Sequence, residues 1–244
     1  MSGWMPGAER SPDLLERAQQ LEPVVGERLA EIRSRIERAG GEPAQVRVVA
    51  VTKTFGPEAV LAALAAGIAD IGENYADELL AKASAVADLT LTRANWHFIG
   101  SIQRNKVARL AATVSCWQTV SRAVEAQAIA ARSGSSKPSA FIEVNVAGDP
   151  ARPGCDPERA EELAQSVTAS GLALRGLMAV APGEGGRAEA ERAFRKVADL
   201  AARLGLRELS TGMSGDLEAA VQAGTTMVRI GSALFGPRNP RAAR

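Results

Sequence analysis

Residues 46–66 read VRVVAVTKTFGPEAVLAALAA and contain a strand, a loop and a helix in that order. The run Val46–Thr52 is largely apolar on both faces, which is typical of a parallel strand covered by helices. Pro57 suits the first turn of a helix, and the Ala-rich stretch Pro57–Ala66 continues that helix. The short loop between the two elements begins with Lys53. This stretch therefore predicts one strand–helix unit of a parallel sheet.

The same unit recurs along the chain in both directions. Eight apolar runs occur, at Val46–Thr52, Ala69–Gly72, Trp96–Gly100, Val114–Val120, Ala140–Val146, Leu172–Val180, Glu208–Thr211 and Met227–Ile230. Helix-like stretches follow them, at Pro57–Ala66, Ala76–Ala87, Asn105–Ala112, Ala123–Arg132, Pro157–Ala169, Ala188–Leu204 and Asp216–Ala223. Strict alternation of eight strands with helices favours an α/β fold, a single closed (β/α)8 TIM barrel. An open doubly wound sheet is the alternative, and the second and seventh runs are the weakest strand predictions.

A longer helix precedes the barrel. Between Pro12 and Ala39, apolar residues recur at spacings of three and four, the period of one helical face. The pair Gly40-Gly41 ends this helix. No linker divides the chain, so we expect one domain over residues 1–244, with residues 1–12 and 239–244 flexible.

Composition excludes several classes of protein. The 29 basic and 28 acidic side chains leave a net charge of +1, which favours neither nucleic acid nor an anionic membrane as a partner. Two cysteines and one histidine make a disulfide framework or a Cys/His metal site improbable. The N-terminus lacks the apolar core of a signal peptide, and no apolar run reaches the roughly 18 residues of a membrane span. We therefore expect a cytoplasmic protein without a metal.

Lys53 is the first candidate for chemistry. Active sites of such barrels form at the carboxyl ends of the strands, and Lys53 directly follows the first run. Partial burial there favours a neutral amine, which can attack an aldehyde to form a Schiff base. From position alone, a solvated lysine that ends a strand is the simpler interpretation.

Two loops near the other end of the chain are candidates for phosphate binding. One follows the seventh run and contains Gly212, Ser214 and Gly215, while Gly231 and Ser232 follow the eighth. Small residues at a helix N-terminus expose backbone N–H groups to an anion, and these are the positions at which such barrels often bind phosphate. Ordinary turn chemistry is the alternative explanation.

Arg229 lies inside the eighth run, where an unpaired charge is costly to bury. It could form a structural ion pair, or it could face a phosphate or a ring nitrogen. A guanidinium stays protonated, so a pyridine nitrogen that faces it would remain unprotonated.

Two further segments carry polar residues at strand ends. Glu73 and Asn74 follow the second run, and His97 lies in the third. A single histidine in a strand is more often a hydrogen-bonded core residue than a catalyst, and we interpret His97 in that way.

Taken together, six segments resemble the pyridoxal phosphate homeostasis proteins, the YggS/PROSC family. They are AVTKT (50–54), IGENYADE (71–78), WHFIGSIQRNK (96–106), FIEVNVAGD (141–149), LSTGMSGD (209–216) and VRIGSALFGPR (228–238). The resemblance implies a barrel like the N-terminal domain of alanine racemase, with pyridoxal 5'-phosphate (PLP) as its cofactor.

The resemblance also implies a role for individual residues. Lys53 would hold PLP as a Schiff base, and Asn74 would lie near the ring. Arg229 would face the pyridine nitrogen. The phosphate would be bound by Ser214, Gly231 and Ser232. The sequence departs from many relatives at Thr211 and Ser121, and it has Ser232 where many have threonine.

Three functions remain open at this point. The resemblance implies a PLP-binding protein of vitamin B6 homeostasis without catalysis, a monomer or weak homodimer with PLP-dependent apo-enzymes as recipients. A PLP-dependent racemase or lyase is the alternative. Tyr75 is the only tyrosine and no further domain follows the barrel pattern, which argues against two-base racemisation. A PLP-independent phosphate-binding enzyme is the third, but it gives Lys53 and Arg229 no joint role.

Overall fold

The computed structural model describes residues 12–134, 136–183 and 186–237. Within them eight parallel strands close into a barrel in the order in which they occur along the chain. The strands are β1 (Arg47–Val51), β2 (Asp70–Glu73), β3 (Asn95–Phe98), β4 (Val114–Val120), β5 (Ser139–Glu143), β6 (Ala173–Met178), β7 (Glu208–Ser210) and β8 (Met227–Ile230). The predicted (β/α)8 barrel is confirmed, and both strands predicted with least support are present.

Nine α-helices lie in the described residues. They are α1 (Pro12–Arg38), α2 (Pro57–Ala65), α3 (Ala76–Val86), α4 (Arg104–Leu110), α5 (Ala123–Ala130), α6 (Ala160–Ala169), α7 (Gly186–Arg203), α8 (Leu217–Gln222) and α9 (Ser232–Phe235). The short helix α9 was not predicted, and a 3-10 turn at Pro157–Arg159 precedes α6. The predicted flexible ends fall on residues outside the described part of the chain, except Pro12, which is the first residue of α1.

The barrel interior explains which side chains can meet. Side chains alternate along a strand, and an inner cluster of Val49, Cys116, Phe141, Met178 and Met227 marks the inward positions. The outward residues pack against the helices in one large apolar core. Every second residue beyond the inner cluster therefore also points inward, towards the end of the barrel where the strands terminate. We call that end the mouth.

Helix α1 packs across the seam, the line along which β8 pairs with β1. It contacts α2, which follows β1, and it contacts α8 and α9, which flank β8. Its buried face includes Val25, Leu29, Ile32 and Ile36, as the helical spacing predicts. The helix thus covers the place at which the two ends of the barrel sequence join.

Two negative findings apply to this part of the chain. Across residues 12–134, 136–183 and 186–237, no group of three or more His, Cys, Asp or Glu side chains could hold a metal ion. No helix within the same ranges has the length and apolar character needed to cross a membrane.

Candidate functional site

Closure of the barrel brings the predicted site residues to four neighbouring strands. The order β7, β8, β1, β2 is continuous around the barrel. Ser214 follows β7, Arg229 lies in β8 and Gly231–Ser232 follow it, while Lys53 follows β1 and Asn74 follows β2. All six predicted residues therefore lie on one side of the mouth, although they are separated by up to 179 positions in the sequence.

The two predicted phosphate loops contact each other. The Ser232 hydroxyl donates to Oγ of Ser214 at 3.3 Å, and the backbone N–H of Ala233 donates to the same oxygen at 3.2 Å. Gly231 caps α9 at its N-terminus. The ring of Phe235 at the end of α9 packs on Phe55, two residues after Lys53, with centroids 5.3 Å apart. This ring contact joins the lysine turn to the loop after β8.

Helix α1 fixes both loops from behind. Arg35 donates to the backbone oxygen of Ser214 at 3.2 Å and forms a bidentate ion pair with Glu218, at 2.7 and 3.0 Å. The hydrogen bond to Glu218 raises the pKa of Arg35. Arg28 donates to the backbone oxygen of Leu234 in α9 at 2.9 Å. The arginines of α1 therefore hold the loops through backbone oxygens and not through the serine hydroxyls.

The turn that carries Lys53 is strained and clamped. Lys53 is partly buried. Its neighbour Thr54 has a φ of +68°, the only positive φ of a non-glycine residue in the described part of the chain. The N–H of Thr54 donates to Oε2 of Glu78 in α3 at 2.9 Å, and the N–H of Phe55 donates to the carbonyl of Thr52 at 3.0 Å. The positions on both sides of Lys53 are thus fixed by hydrogen bonds.

A buried ion pair supports this turn. The Lys82 ammonium donates to the Thr52 carbonyl at 2.8 Å, to Glu73 at 2.7 Å and to Glu78 at 3.0 Å. The hydroxyl of Thr52 donates to the same oxygen of Glu73 at 2.6 Å. Burial raises the pKa of Glu73, and the Lys82 charge opposes that shift. Glu73, which the sequence singled out, therefore supports the lysine turn from outside the barrel and does not line the mouth.

Arg229 is held without a carboxylate partner. Its guanidinium donates to the Ser210 carbonyl at 2.6 Å, to the Ser210 hydroxyl at 2.8 Å and to the Ala179 carbonyl at 3.0 Å. Burial lowers its pKa to about 10, an effect that the charge of Glu143 opposes, so the group stays cationic at neutral pH. No ion pair of Arg229 occurs with any residue that the structure describes, so the structural ion pair considered from the sequence is not found.

Glu143 is a site residue that the sequence did not reveal. It ends β5, two residues after the inward Phe141, so its carboxyl also points into the barrel. It is 8% exposed, and burial raises its pKa to about 7 while the charge of Arg229 opposes that rise. In the sequence, the only indication of a site role for Glu143 is that it is an acidic residue at the carboxyl end of an apolar strand.

Unpartnered polar atoms at the mouth indicate a place for a polar ligand. The hydroxyl oxygen of Thr54 and Oδ1 of Asn74 are buried and have no hydrogen-bond partner among the described residues. Buried polar atoms are normally paired, so each of these two atoms marks a position at which a ligand could supply the missing partner. Together with the loop hydroxyls and the Arg229 cation, they fit a small anionic molecule with a polar ring.

Comparison with known proteins identifies the family. The chain matches the family model described as the alanine racemase N-terminal domain over residues 28–239. It is 42% identical over 225 residues to the pyridoxal phosphate homeostasis protein of Pseudomonas aeruginosa, which covers 88% of this chain and 96% of that protein. The chain belongs to the pyridoxal phosphate homeostasis protein family. The resemblance found in the sequence is thereby confirmed.

Two solved structures of the protein PipY have the same fold as this chain. PipY of Synechococcus elongatus without PLP superposes with a TM-score of 0.79 at 32% identity, over 87% of this chain and 100% of PipY. PipY with PLP bound gives a TM-score of 0.77 at the same identity and coverage.

Two of the departures from the family motifs are Thr211 and Ser121, and the third, Ser232, lies at the start of α9 in the candidate site. Thr211 is buried, and its N–H donates to the Met227 carbonyl at 3.1 Å. Ser121 donates through its N–H to Glu125 at 2.8 Å, near the start of α5. Tyr75 precedes α3 and is 51% exposed.

Proposed function

We propose that this chain binds PLP at the mouth and serves in intracellular PLP homeostasis. The observation that carries the proposal is the closure of the barrel, which sets the Lys53 turn beside the two serine loops. The names of its relatives and the PLP-bound state of PipY point the same way.

Each site residue has a proposed task. Ser214 and Ser232 donate hydroxyls to the phosphate, and Gly231 admits it to the backbone at the start of α9. Lys53 would hold the aldehyde carbon of PLP through its amine nitrogen as a Schiff base. Asn74 contacts the ring substituents through its unpartnered amide oxygen.

Arg229 decides what the bound group can do. Bound PLP supplies an electron sink, which depends on the state of its ring nitrogen. A guanidinium offers only donors, so Arg229 favours an unprotonated nitrogen that accepts its hydrogen bond. Arg229 therefore keeps the sink weak, which suits a protein that holds PLP without turning over a substrate.

Borohydride trapping tests the proposal directly. Reduction of the PLP-loaded protein and peptide mapping should find the adduct on Lys53. Lys53→Ala should lose both the adduct and the visible absorbance of the bound cofactor, whereas Lys196→Ala, on the exposed face of α7, should retain them. An adduct on another lysine, or undiminished absorbance in Lys53→Ala, would overturn the assignment.

A second candidate function, a PLP-dependent racemase or lyase, rests on Glu143. A carboxyl with a pKa of about 7 at the mouth could exchange protons near neutral pH. Loss of the α-proton of alanine or serine into deuterated water, at catalytic turnover and dependent on both Lys53 and Glu143, would favour this function.

We also propose that the protein works in the cytoplasm as a monomer or weak homodimer and passes PLP to PLP-dependent apo-enzymes. Cell fractionation tests the compartment, and light scattering at several concentrations tests the assembly. Reactivation of an apo-enzyme by the loaded protein, faster than free PLP released into solution allows, tests delivery.

A further inference from the structure

A continuous line of side-chain hydrogen bonds crosses the inside of the barrel. Oδ1 of Asp70 lies 2.9 Å from Nε2 of His97, and Nδ1 of His97 lies 2.7 Å from Nε2 of Gln118. The Ser210 hydroxyl donates to Oε1 of Gln118 at 2.6 Å and accepts from Nη1 of Arg229 at 2.8 Å. We call these five residues the interior relay. It joins the start of β2 to the cation at the mouth.

All donors of the interior relay point the same way. Burial works against ionisation of Asp70, but the hydrogen bond from His97 favours ionisation, and the net effect is a lowered pKa of Asp70. An ionised carboxylate only accepts, so Nε2 of His97 carries a hydrogen, and in the neutral imidazole Nδ1 is then the acceptor. Gln118 therefore donates its amide hydrogen to His97 and accepts through Oε1 from Ser210. The Ser210 oxygen can then accept the hydrogen bond that Nη1 of Arg229 donates.

A second contact fixes the direction independently. Nε2 of Gln118 also lies 3.2 Å from the sulfur of Met227, a weak acceptor that suits the amide hydrogens and not the amide oxygen. His97, Gln118 and Ser210 are all buried, with Gln118 and Ser210 fully so. A reversed relay would leave two acceptors facing each other at Nδ1 of His97, a costly arrangement without water.

From this geometry we infer that Asp70, His97, Gln118 and Ser210 are positioning residues that act through Arg229 on the molecule bound at the mouth. The inference rests on the proposed function, because it assigns Arg229 to the ring nitrogen. Two backbone carbonyls and the Ser210 hydroxyl use three hydrogens of the guanidinium. Within the described residues, the Nε hydrogen and one Nη2 hydrogen have no acceptor, so they are available to a ligand.

The single histidine of the chain makes the relay measurable before any PLP is added. In the apo-protein, the 15N spectrum of His97 should show one protonated nitrogen, Nε2, and one accepting nitrogen, Nδ1. Ser210→Ala and Gln118→Met should both shift the Nδ1 signal. Phe141→Leu is the control, since it changes a buried interior residue whose strand partner, Gly176, is outside the relay. Equal spectra for Ser210→Ala, Gln118→Met and the control would overturn the relay.

PLP addition then tests coupling to the mouth. The His97 signals of the wild-type protein should shift when PLP binds, and this response should disappear in Gln118→Met. The PLP dissociation constant should rise by roughly fivefold or more in Gln118→Met and in Ser210→Ala, and by less than about twofold in Phe141→Leu.

The two proposals fail in different ways. A wild-type protein that takes up no PLP would refute the proposed function, and the apo spectra would still decide whether the relay exists. If PLP binds and His97 responds equally in wild type and Gln118→Met, the coupling through the relay is refuted while the proposed function stands.

Discussion

At the scale of single residues, Glu143 gives the clearest prediction. Its pKa rises from an ordinary value of 4.5 to about 7 in the folded protein. The folded state therefore binds this proton more tightly than the unfolded state. That contribution to stability is complete below about pH 4.5 and is lost as the pH rises through 7. Glu143→Gln should stabilise the apo-protein at pH 8 by about 1–3 kcal/mol.

The measurement is urea unfolding of both proteins at pH 5 and pH 8. The difference should shrink to under about 1 kcal/mol at pH 5, where the folded wild-type carboxyl is protonated. Glu158→Gln, an exposed glutamate in the turn before α6, should show no such dependence. A Glu143→Gln variant that is less stable than wild type at pH 8 would mean that the ionised carboxylate has a favourable partner.

The sequence predicts the position of a residue where that position follows from its immediate neighbours in the chain. Lys53 could be placed at the mouth because it directly follows an apolar run, and Arg229 stood out as a charge inside one. Glu143 and Gln118 were not assigned, because their roles depend on which residues face them across the barrel. That information is set by packing of eight strands and is absent from any one segment.

At the scale of elements, the clamp on the Lys53 turn gives the second prediction. Lys82 in α3 holds the Thr52 carbonyl and two glutamates, and its side chain is only 6% exposed. Lys82→Met removes the cation and leaves Glu73 buried without its charge partner. We expect a loss of roughly 3 kcal/mol in unfolding free energy, because breaking a buried pair strands the other charge.

Lys82→Met should also slow the attachment of PLP at the Lys53 turn. Stopped-flow absorbance should show slower cofactor attachment in Lys82→Met, since Lys53 is no longer held in its strained turn. Lys106→Met is the matched control, because Lys106 lies in α4, away from the clamp. Unchanged attachment in a folded Lys82→Met protein would show that the turn keeps its shape without the ion pair.

Helix α1 gives the third prediction. Arg35 ties α1 to the Ser214 backbone and to Glu218. Arg35→Ala should cost only about 1 kcal/mol of stability, because the ion pair is partly exposed, with 23% and 30% of the two side chains accessible. The PLP dissociation constant should nevertheless rise about threefold or more, because the Ser214 loop, which we propose to bind the phosphate, loses its support.

A titration of PLP absorbance measures this effect. Arg38→Ala is the control, since its ion pair with Glu31 is on the exposed face of the same helix. Equal PLP affinities in the two variants would show that the contact of α1 with the Ser214 loop does not contribute to PLP binding.

Helices and strands were predicted correctly where a recognisable hydrophobic pattern marks the segment. All eight strands and the first eight helices follow the alternation of apolar runs and amphipathic stretches. Helix α9 was missed because Ser232–Phe235 is a single turn, too short to show a period. Phe55 and Arg28, which both lie far earlier in the chain, contact α9 through Phe235 and Leu234.

At the scale of the whole molecule, the seam between β8 and β1 brings the candidate site residues of the two ends of the chain together. Val49 in β1 pairs with Arg229 in β8, so a ligand held by both strands joins the start and the end of the barrel. The sequence predicted that both ends carry site residues, and the resemblance supplied their common ligand. It could not show that α1 and the aromatic contact hold the two ends together.

PLP binding should therefore stabilise the barrel as a unit. At a free concentration a hundred times the dissociation constant, a ligand adds about 2.7 kcal/mol to the unfolding free energy. For a chain of this size that corresponds to a rise in Tm of roughly 5–10 °C. Pyridoxal has the same aldehyde and no phosphate, so at equal concentration it should raise the Tm much less.

The comparison of PLP with pyridoxal isolates the serine loops. In the double variant Ser214→Ala and Ser232→Ala, the Tm rise with PLP should fall towards the value for pyridoxal, because the two hydroxyls that meet at 3.3 Å are gone. Ser136→Ala, an exposed serine after α5, should leave the rise with PLP unchanged. Equal Tm rises for PLP and pyridoxal in the wild-type protein would mean that the loops after β7 and β8 do not bind the phosphate. A rise in the double variant equal to that of wild type would instead assign phosphate binding to the backbone N–H groups alone.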